Sequence, residues 1–253
     1  MKLEKTLAWL DKTLNVAAFD DVSNNGLQVD PFSSSATSQS DNRKSNNQTI
    51  STVAFAVDAS VRAVEAAAAA GAELLVVHHG ISWGGGIRRL TGGVGNVVRT
   101  AIENGVAVAA YHLPLDAHPT LGNNAQLAKL LGLRKVRPAF SYHGNVIGVV
   151  GTAGAVRSAG VGGRAISIPK GMVGVCSGGA GEFAEEAKAL GCDVYLTGEA
   201  SWGDVIAAEN CGMKMVCAGH YETEVFGVRA LAKAMKRTLK LRTVDLTDIL
   251  RRS

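Results

Sequence analysis

The chain has 253 residues, 47% of them hydrophobic and only 19% charged, so an ordinary soluble globular protein with one large core or two fused lobes is expected. The formal charge of +4 is mildly basic, and its only cluster is a tail of Lys233, Lys236, Arg237, Lys240, Arg242, Arg251 and Arg252, read first as solvated surface and second as a nucleic-acid contact. Cys176, Cys192, Cys211 and Cys217 form neither a Cys-x-x-Cys pair nor a secretory framework, and no run of about 18 apolar residues exists, which argues against a cysteine zinc site and a transmembrane helix and places the chain in the cytoplasm.

Met1 to Val16 mixes Lys2, Glu4, Lys5, Asp11 and Lys12 with apolar residues, a first amphipathic helix rather than a signal peptide. From Ser33 to Thr49 the side chains are almost all polar, so burial cannot offset ordering entropy; a mobile inserted loop, 31–52 with its flanks, is expected. Short runs of Val, Ile, Leu and Ala then alternate with helical stretches, the pattern of β-α units. The runs are Thr52 to Val57, Leu74 to Val77, Val106 to Tyr111, Val146 to Val150, Val194 to Leu196 and Met215 to Ala218. The helices are Val61 to Ala70, Val94 to Asn104, Ala125 to Leu131, Glu182 to Leu190, Trp202 to Asn210 and Val225 to Lys236. A glycine-rich stretch, Gly144 to Gly181, is the expected seam of an α/β fold with lobes of about 1–140 and 141–253.

The residues that follow the apolar runs carry the chemistry. Val57 leads to Asp58, Val77 to His78 and His79, Tyr111 to His112 and Asp116, Leu196 to Glu199, and Ala218 to His220. In open α/β sheets the carboxyl ends of strands line the ligand crevice, so these ends are expected to converge. Neighbouring side chains on a strand point to opposite faces, so His78 and His79 at a strand end can each serve a different one of two ions; a His-His pair is also an ordinary strand end. His220 and Glu224 are four apart and share a helical face, and imidazole with carboxylate suits zinc, iron or manganese, although such a pair also makes a plain surface hydrogen bond. Asp116 can bridge two cations or cap a turn. Gly84, Gly85 and Gly86 with Gly92, Gly93 and Gly95 read as a flexible lid, and Ser177 to Gly181 as a phosphate cradle or a turn.

Asn25-Gly26-Leu27-Gln28-Val29, Val76-Val77-His78-His79-Gly80, His112-Leu113-Pro114-Leu115-Asp116-Ala117-His118-Pro119 with Asn123-Asn124, Thr197-Gly198-Glu199, and Gly219-His220 with Thr223-Glu224 together resemble the GTP cyclohydrolase I type 2 homologues, the NIF-three-like dinuclear-metal hexameric proteins. The resemblance runs from near the amino terminus to about Arg237. It implies two fused α/β lobes with mixed sheets, a metal site at strand carboxyl ends, and a toroidal homo-hexamer with two divalent ions per chain facing a cavity. By motif position His79 and Asp116 serve one ion, His78 and His220 the other, and Glu224 both, with water completing the coordination. The sequence departs from its relatives in the loop from Ser33 to Thr49 and in Gly84 to Gly86, which follow Trp83 where a lysine is common.

Two functions are expected from this reading. The first is a metal-dependent hydrolase acting on a nucleotide or another phosphate-bearing small molecule. Glu199 is its candidate base or ligand-orienting group; the competing reading is that Glu199 caps the helix near Trp202. The second is a ring-shaped nucleic-acid-binding or metal-handling regulatory protein without catalysis.

Overall fold

The structure, a computed structural model, describes residues 1–32 and 48–249. Most of the expected inserted loop, 33–47, lies outside the described residues. Its far flank is not loop. Thr49 bridges to Lys2, Ile50 is fully buried with its N–H on the Met1 carbonyl at 2.7 Å, and Thr52 opens a strand.

In chain order the elements begin with α1 (Leu3–Leu14), β1 (Gly26–Val29), β2 (Thr52–Asp58), α2 (Val61–Ala69) and β3 (Leu74–His79). There follow α3 (Gly92–Glu103), β4 (Ala107–Ala110), α4 (Leu113–Ala117), α5 (Asn123–Leu130), β5 (Arg134–Tyr142) and β6 (Asn145–Ala153). Next come β7 (Arg157–Val161), β8 (Arg164–Ile168), β9 (Gly171–Gly179), α6 (Ala184–Ala189) and β10 (Val194–Glu199). The chain continues through α7 (Trp202–Asn210), β11 (Lys214–Cys217), α8 (His220–Leu239) and β12 (Arg242–Asp245). The fold is mixed α/β, as expected. It divides into one unit of 1–114 with 228–253 and another of 115–227, rather than at about residue 140. The reason is local: β12, in the tail read as solvated helix and strand surface, pairs with β2 from Arg242 opposite Thr52 to Asp245 opposite Phe55 and so belongs to the first sheet.

The first unit holds the sheet β1-β4-β3-β2-β12, parallel throughout except at β1. Parallel strands need crossovers, and α2 and α3 supply them, which is why apolar runs and helices alternate here. Ala54, Ala56, Leu75, Val77, Val108 and Ala110 form one buried face against Ala63, Val64, Ala67, Val97 and Ala101 of α2 and α3. The alternate residues Val53, Phe55, Leu74, Val76, Ala107 and Ala109 are buried too, so these strands read as continuous apolar runs rather than as alternating ones. Ser60 starts α2 by accepting the Ala63 N–H on its hydroxyl at 3.1 Å.

The second unit is built on β11-β10-β9-β6-β5, parallel on the β9 to β11 side and antiparallel on the other. The separate hairpin β7-β8 contributes Val161, Ile166 and Ile168 to a core with Leu127 and Leu131 of α5, Val173 and Val175 of β9, and Val194 and Leu196 of β10. The stretch read as a glycine-rich seam is therefore mostly strand. At Gly174 the glycine is required by space, since a Cβ there would crowd the rings of Phe140 and Tyr195.

Candidate metal centre

In the first unit three imidazoles gather. His78 and His79 are the last two residues of β3, and His112 lies just past β4. Strand alternation sends the first two to opposite faces, yet their ring centroids stay 4.6 Å apart, with His112 at 5.1 Å from His78 and 5.7 Å from His79. One ring nitrogen from each of the three falls within 4.8 Å of the others.

Each of these rings is held through Nδ1 by an oxygen. His78 Nδ1 lies 3.0 Å from the Tyr111 carbonyl, His79 Nδ1 lies 2.9 Å from Asp58 Oδ1, and His112 Nδ1 lies 2.9 Å from Asp21 Oδ1. The Asp58–His79 contact follows from register, because those residues are directly paired on β2 and β3. A carbonyl or a carboxylate only accepts, so Nδ1 carries the proton and a neutral ring presents its lone pair at Nε2. That is how histidines are arranged when they ligate metal through Nε2.

Asp21 is itself fixed by a network. Its Oδ2 accepts the Leu113 N–H at 2.8 Å and the Asn25 amide at 2.9 Å, while Asn25 Oδ1 accepts the His112 N–H at 2.7 Å. Burial works against the Asp21 charge, but the His112 ring, the Asn25 amide and the Ser23 N–H outweigh it and bring the pKa from 3.8 down to about 2. Asp58, His112 and Asp21 were not assigned a role from sequence. Asp58 and His112 carried a signal, as polar residues directly after apolar runs; Asp21 carried none.

The second unit holds two buried carboxylates of its own. Asp116, in α4, is buried, and its Oδ1 accepts the Asn123 amide at 2.8 Å and the Ser177 hydroxyl at 3.1 Å. Glu224 is also buried, and a carboxylate oxygen of each lies within 4.8 Å of one from the other. The last long helix starts at His220 rather than near Val225, so His220 and Glu224 sit one turn apart with Nε2 to Oε1 at 3.3 Å. On its other side His220 Nδ1 lies 2.8 Å from Glu199 Oε1, at the end of β10. The hydrogen bond to Glu224 is the largest influence on His220; burial opposes it, Glu199 adds to it, and the pKa rises from 6.5 to about 9.

Glu199 does not cap α7. Ser201 does, accepting the Asp204 N–H at 3.2 Å while the Asp204 carboxylate accepts the Ser201 N–H at 2.8 Å. The stretch Ser177 to Gly181 has a packing reason for its glycine. Gly178 has φ +70°, and a Cβ there would overlap Glu224 Oε1, so the backbone of β9 approaches the carboxylate as only glycine allows. His220, fixed through Nδ1 beside the buried Glu224, offers imidazole and carboxylate donors of the kind that fit zinc, iron or manganese.

A family model described as Duf34/NIF3 (NGG1p interacting factor 3) matches residues 1–249. The chain belongs to the Duf34/NIF3 family. Among its Duf34/NIF3 relatives, a protein of Pyrococcus horikoshii named GTP cyclohydrolase 1 type 2 homolog is 35% identical, covering 98% of both chains. One of the same name from Deinococcus radiodurans is 39% identical over 90% of this chain and 86% of that one. A solved structure described as protein ybgI, of unknown function, superposes with a TM-score of 0.80 at 28% identity, covering 98% of each chain. Among the described residues of this Duf34/NIF3 chain no helix is long and apolar enough to cross a membrane.

Proposed function

We propose that this protein is a dinuclear divalent-metal hydrolase in which His78, His79, Asp116, His220 and Glu224 hold two ions and the substrate is a nucleotide or another phosphate-bearing small molecule. The observation that carries the reading is the anchoring of His78, His79 and His220 through Nδ1 to oxygen acceptors, at 3.0, 2.9 and 2.8 Å. Rings that served only packing would not each need a fixed tautomer. The names of the relatives, which refer to GTP cyclohydrolase, favour a nucleotide.

Divalent ions held there supply Lewis acidity, activating water and stabilising negative charge on a phosphoryl or carbonyl oxygen. The chain's own residues do the positioning. Asp58 and the Tyr111 carbonyl fix the His79 and His78 rings, Glu199 fixes His220, and Asn123 with Ser177 fixes Asp116. Glu199 is thus better cast as a positioning residue than as the general base. A cation held by His220 and Glu224 would take the place of the proton between them, so metal uptake would release a proton.

The test is a screen of the metal-loaded protein against nucleotides and simple phosphoesters, with and without chelator. Chelator-sensitive turnover of at least one of them is the expected result. A protein that turns over none of them, yet retains nucleic acid with an affinity that falls steeply with salt, would replace this reading with the non-catalytic ring.

A further inference from the structure

Trp83 stands beside the histidines in an unusual state: fixed but uncovered. Its indole N–H donates to the Gly80 carbonyl at 3.0 Å, its backbone bridges to Ser23, and the next residue, Gly84, donates to the Val22 carbonyl at 2.6 Å. Gln28 pins the same loop, its Oε1 accepting the N–H of Ile81 at 2.7 Å and of Ser82 at 3.2 Å, and a Cβ at Gly80 would run into that amide. One edge of the ring system meets His112, with centroids 5.1 Å apart at 77°, and His79 lies at 6.1 Å. Even so the residue is 38% exposed, and a Cβ added at Gly84, Gly85 or Gly86 would meet nothing within 4 Å, so open space adjoins it.

A large aromatic held in place by its own N–H has lost its side-chain entropy before any ligand arrives. The only polar handle of the indole is used internally, which leaves a π face as its means of recognition. Flat heteroaromatic bases stack on such faces largely regardless of their identity. Arg88 and Arg89, further along the loop, are exposed and make no hydrogen bond or ion pair among the described residues, which suits an anionic ligand. Trp202 is more exposed, at 77%, but its indole makes no hydrogen bond or ring contact among the described residues.

We propose that Trp83 is the stacking platform for the base of a nucleotide ligand, and so the residue by which the site distinguishes a nucleotide from a base-free sugar phosphate. This rests on the proposed phosphate-bearing substrate for its anionic part, but the stacking requires no turnover.

The experiment is calorimetric titration of the purified protein with AMP, GMP and ribose 5-phosphate, alongside quenching of tryptophan emission by AMP. Both nucleotides are expected to bind about tenfold or more tighter than ribose 5-phosphate, the scale of one base–aromatic stack. Trp83→Leu should bring them down to the ribose 5-phosphate level, Trp83→Phe should retain most of the difference, and Trp202→Leu should change nothing. Quenching that persists in Trp202→Leu and is lost in Trp83→Leu reports the stack, since Trp9 emits in both variants. Equal affinity for AMP and ribose 5-phosphate, or nucleotide binding unaffected by Trp83→Leu, or no nucleotide binding at all, would overturn the proposal. Base-selective binding without hydrolysis would sink the hydrolase and leave the platform standing; hydrolysis without base selectivity would do the reverse.

Discussion

Glu199 Oε1 lies 2.8 Å from His220 Nδ1, while the helix two residues on is capped by Ser201. The two nearby polar residues therefore separate function from stability, and their variants should fail differently. Glu199→Gln is expected to weaken metal binding roughly 10- to 100-fold, the usual cost of losing a carboxylate behind a ligating histidine. Ser201→Ala is expected to cost about 1 kcal/mol of stability with metal affinity intact. Competition with a metal indicator and thermal melts on both variants check this; the opposite assignment of effects would return Glu199 to the role of a cap.

The buried carboxylates give a second prediction. Removing Asp116 or Glu224 leaves cations close together without the shared negative charge, so Asp116→Ala and Glu224→Ala should each fall well short of the about two ions per chain expected for the wild type. Elemental analysis of folded variants measures it. Wild-type metal content in both would dispose of the proposed ligand set.

Acid should act through Asp21, whose side chain is 1% exposed. Its folded pKa is depressed from 3.8 to about 2, so the stability it contributes is fully present above about pH 3.8 and disappears as pH falls toward 2. The size is on the order of 2 kcal/mol. Urea midpoints from pH 5 to pH 2 should show this acid loss in the wild type and a flatter profile in Asp21→Asn, which lacks the titrating group. Parallel profiles would mean that Asp21 does not carry it.

Gly178→Ala tests the close approach of β9 to Glu224. The new methyl must adopt φ +70° and push into the Glu224 carboxylate, a cost of roughly 1–3 kcal/mol. Metal affinity should fall with it, since the displaced group is a proposed ligand. A variant with an unchanged melting temperature would show that the backbone relaxes away from the strain.

The homo-hexamer that the resemblance implies would weigh about 157 kDa, from six chains of 26.2 kDa. Light scattering in the micromolar range decides it, and a monomer there would reject the ring.

Sequence by itself determined much of this protein. The β-α units of the first sheet were legible because strands buried on both faces, such as Thr52–Asp58 and Leu74–His79, must be continuously apolar, and crossover helices must separate them. Trp202–Asn210 was placed to the residue, but its cap was not: Ser201 and Asp204 form the capping box where Glu199 was the candidate. The pairs His78-His79 and His220 with Glu224 were visible through spacing alone. Tertiary structure decided the rest, because it depends on neighbours distant in the chain. β9 is a glycine-rich strand whose composition is set by the rings of Phe140 and Tyr195 and by Glu224, and periodicity registers none of these. β12 was legible as solvated strand surface, but only its pairing with β2 assigns it to the first unit. Asp21, Asp58 and Glu199 lie far along the chain from the histidines they hold, at separations that no local pattern records. Which nitrogen a histidine presents is settled by the acceptor behind it, and only folding brings that acceptor into place.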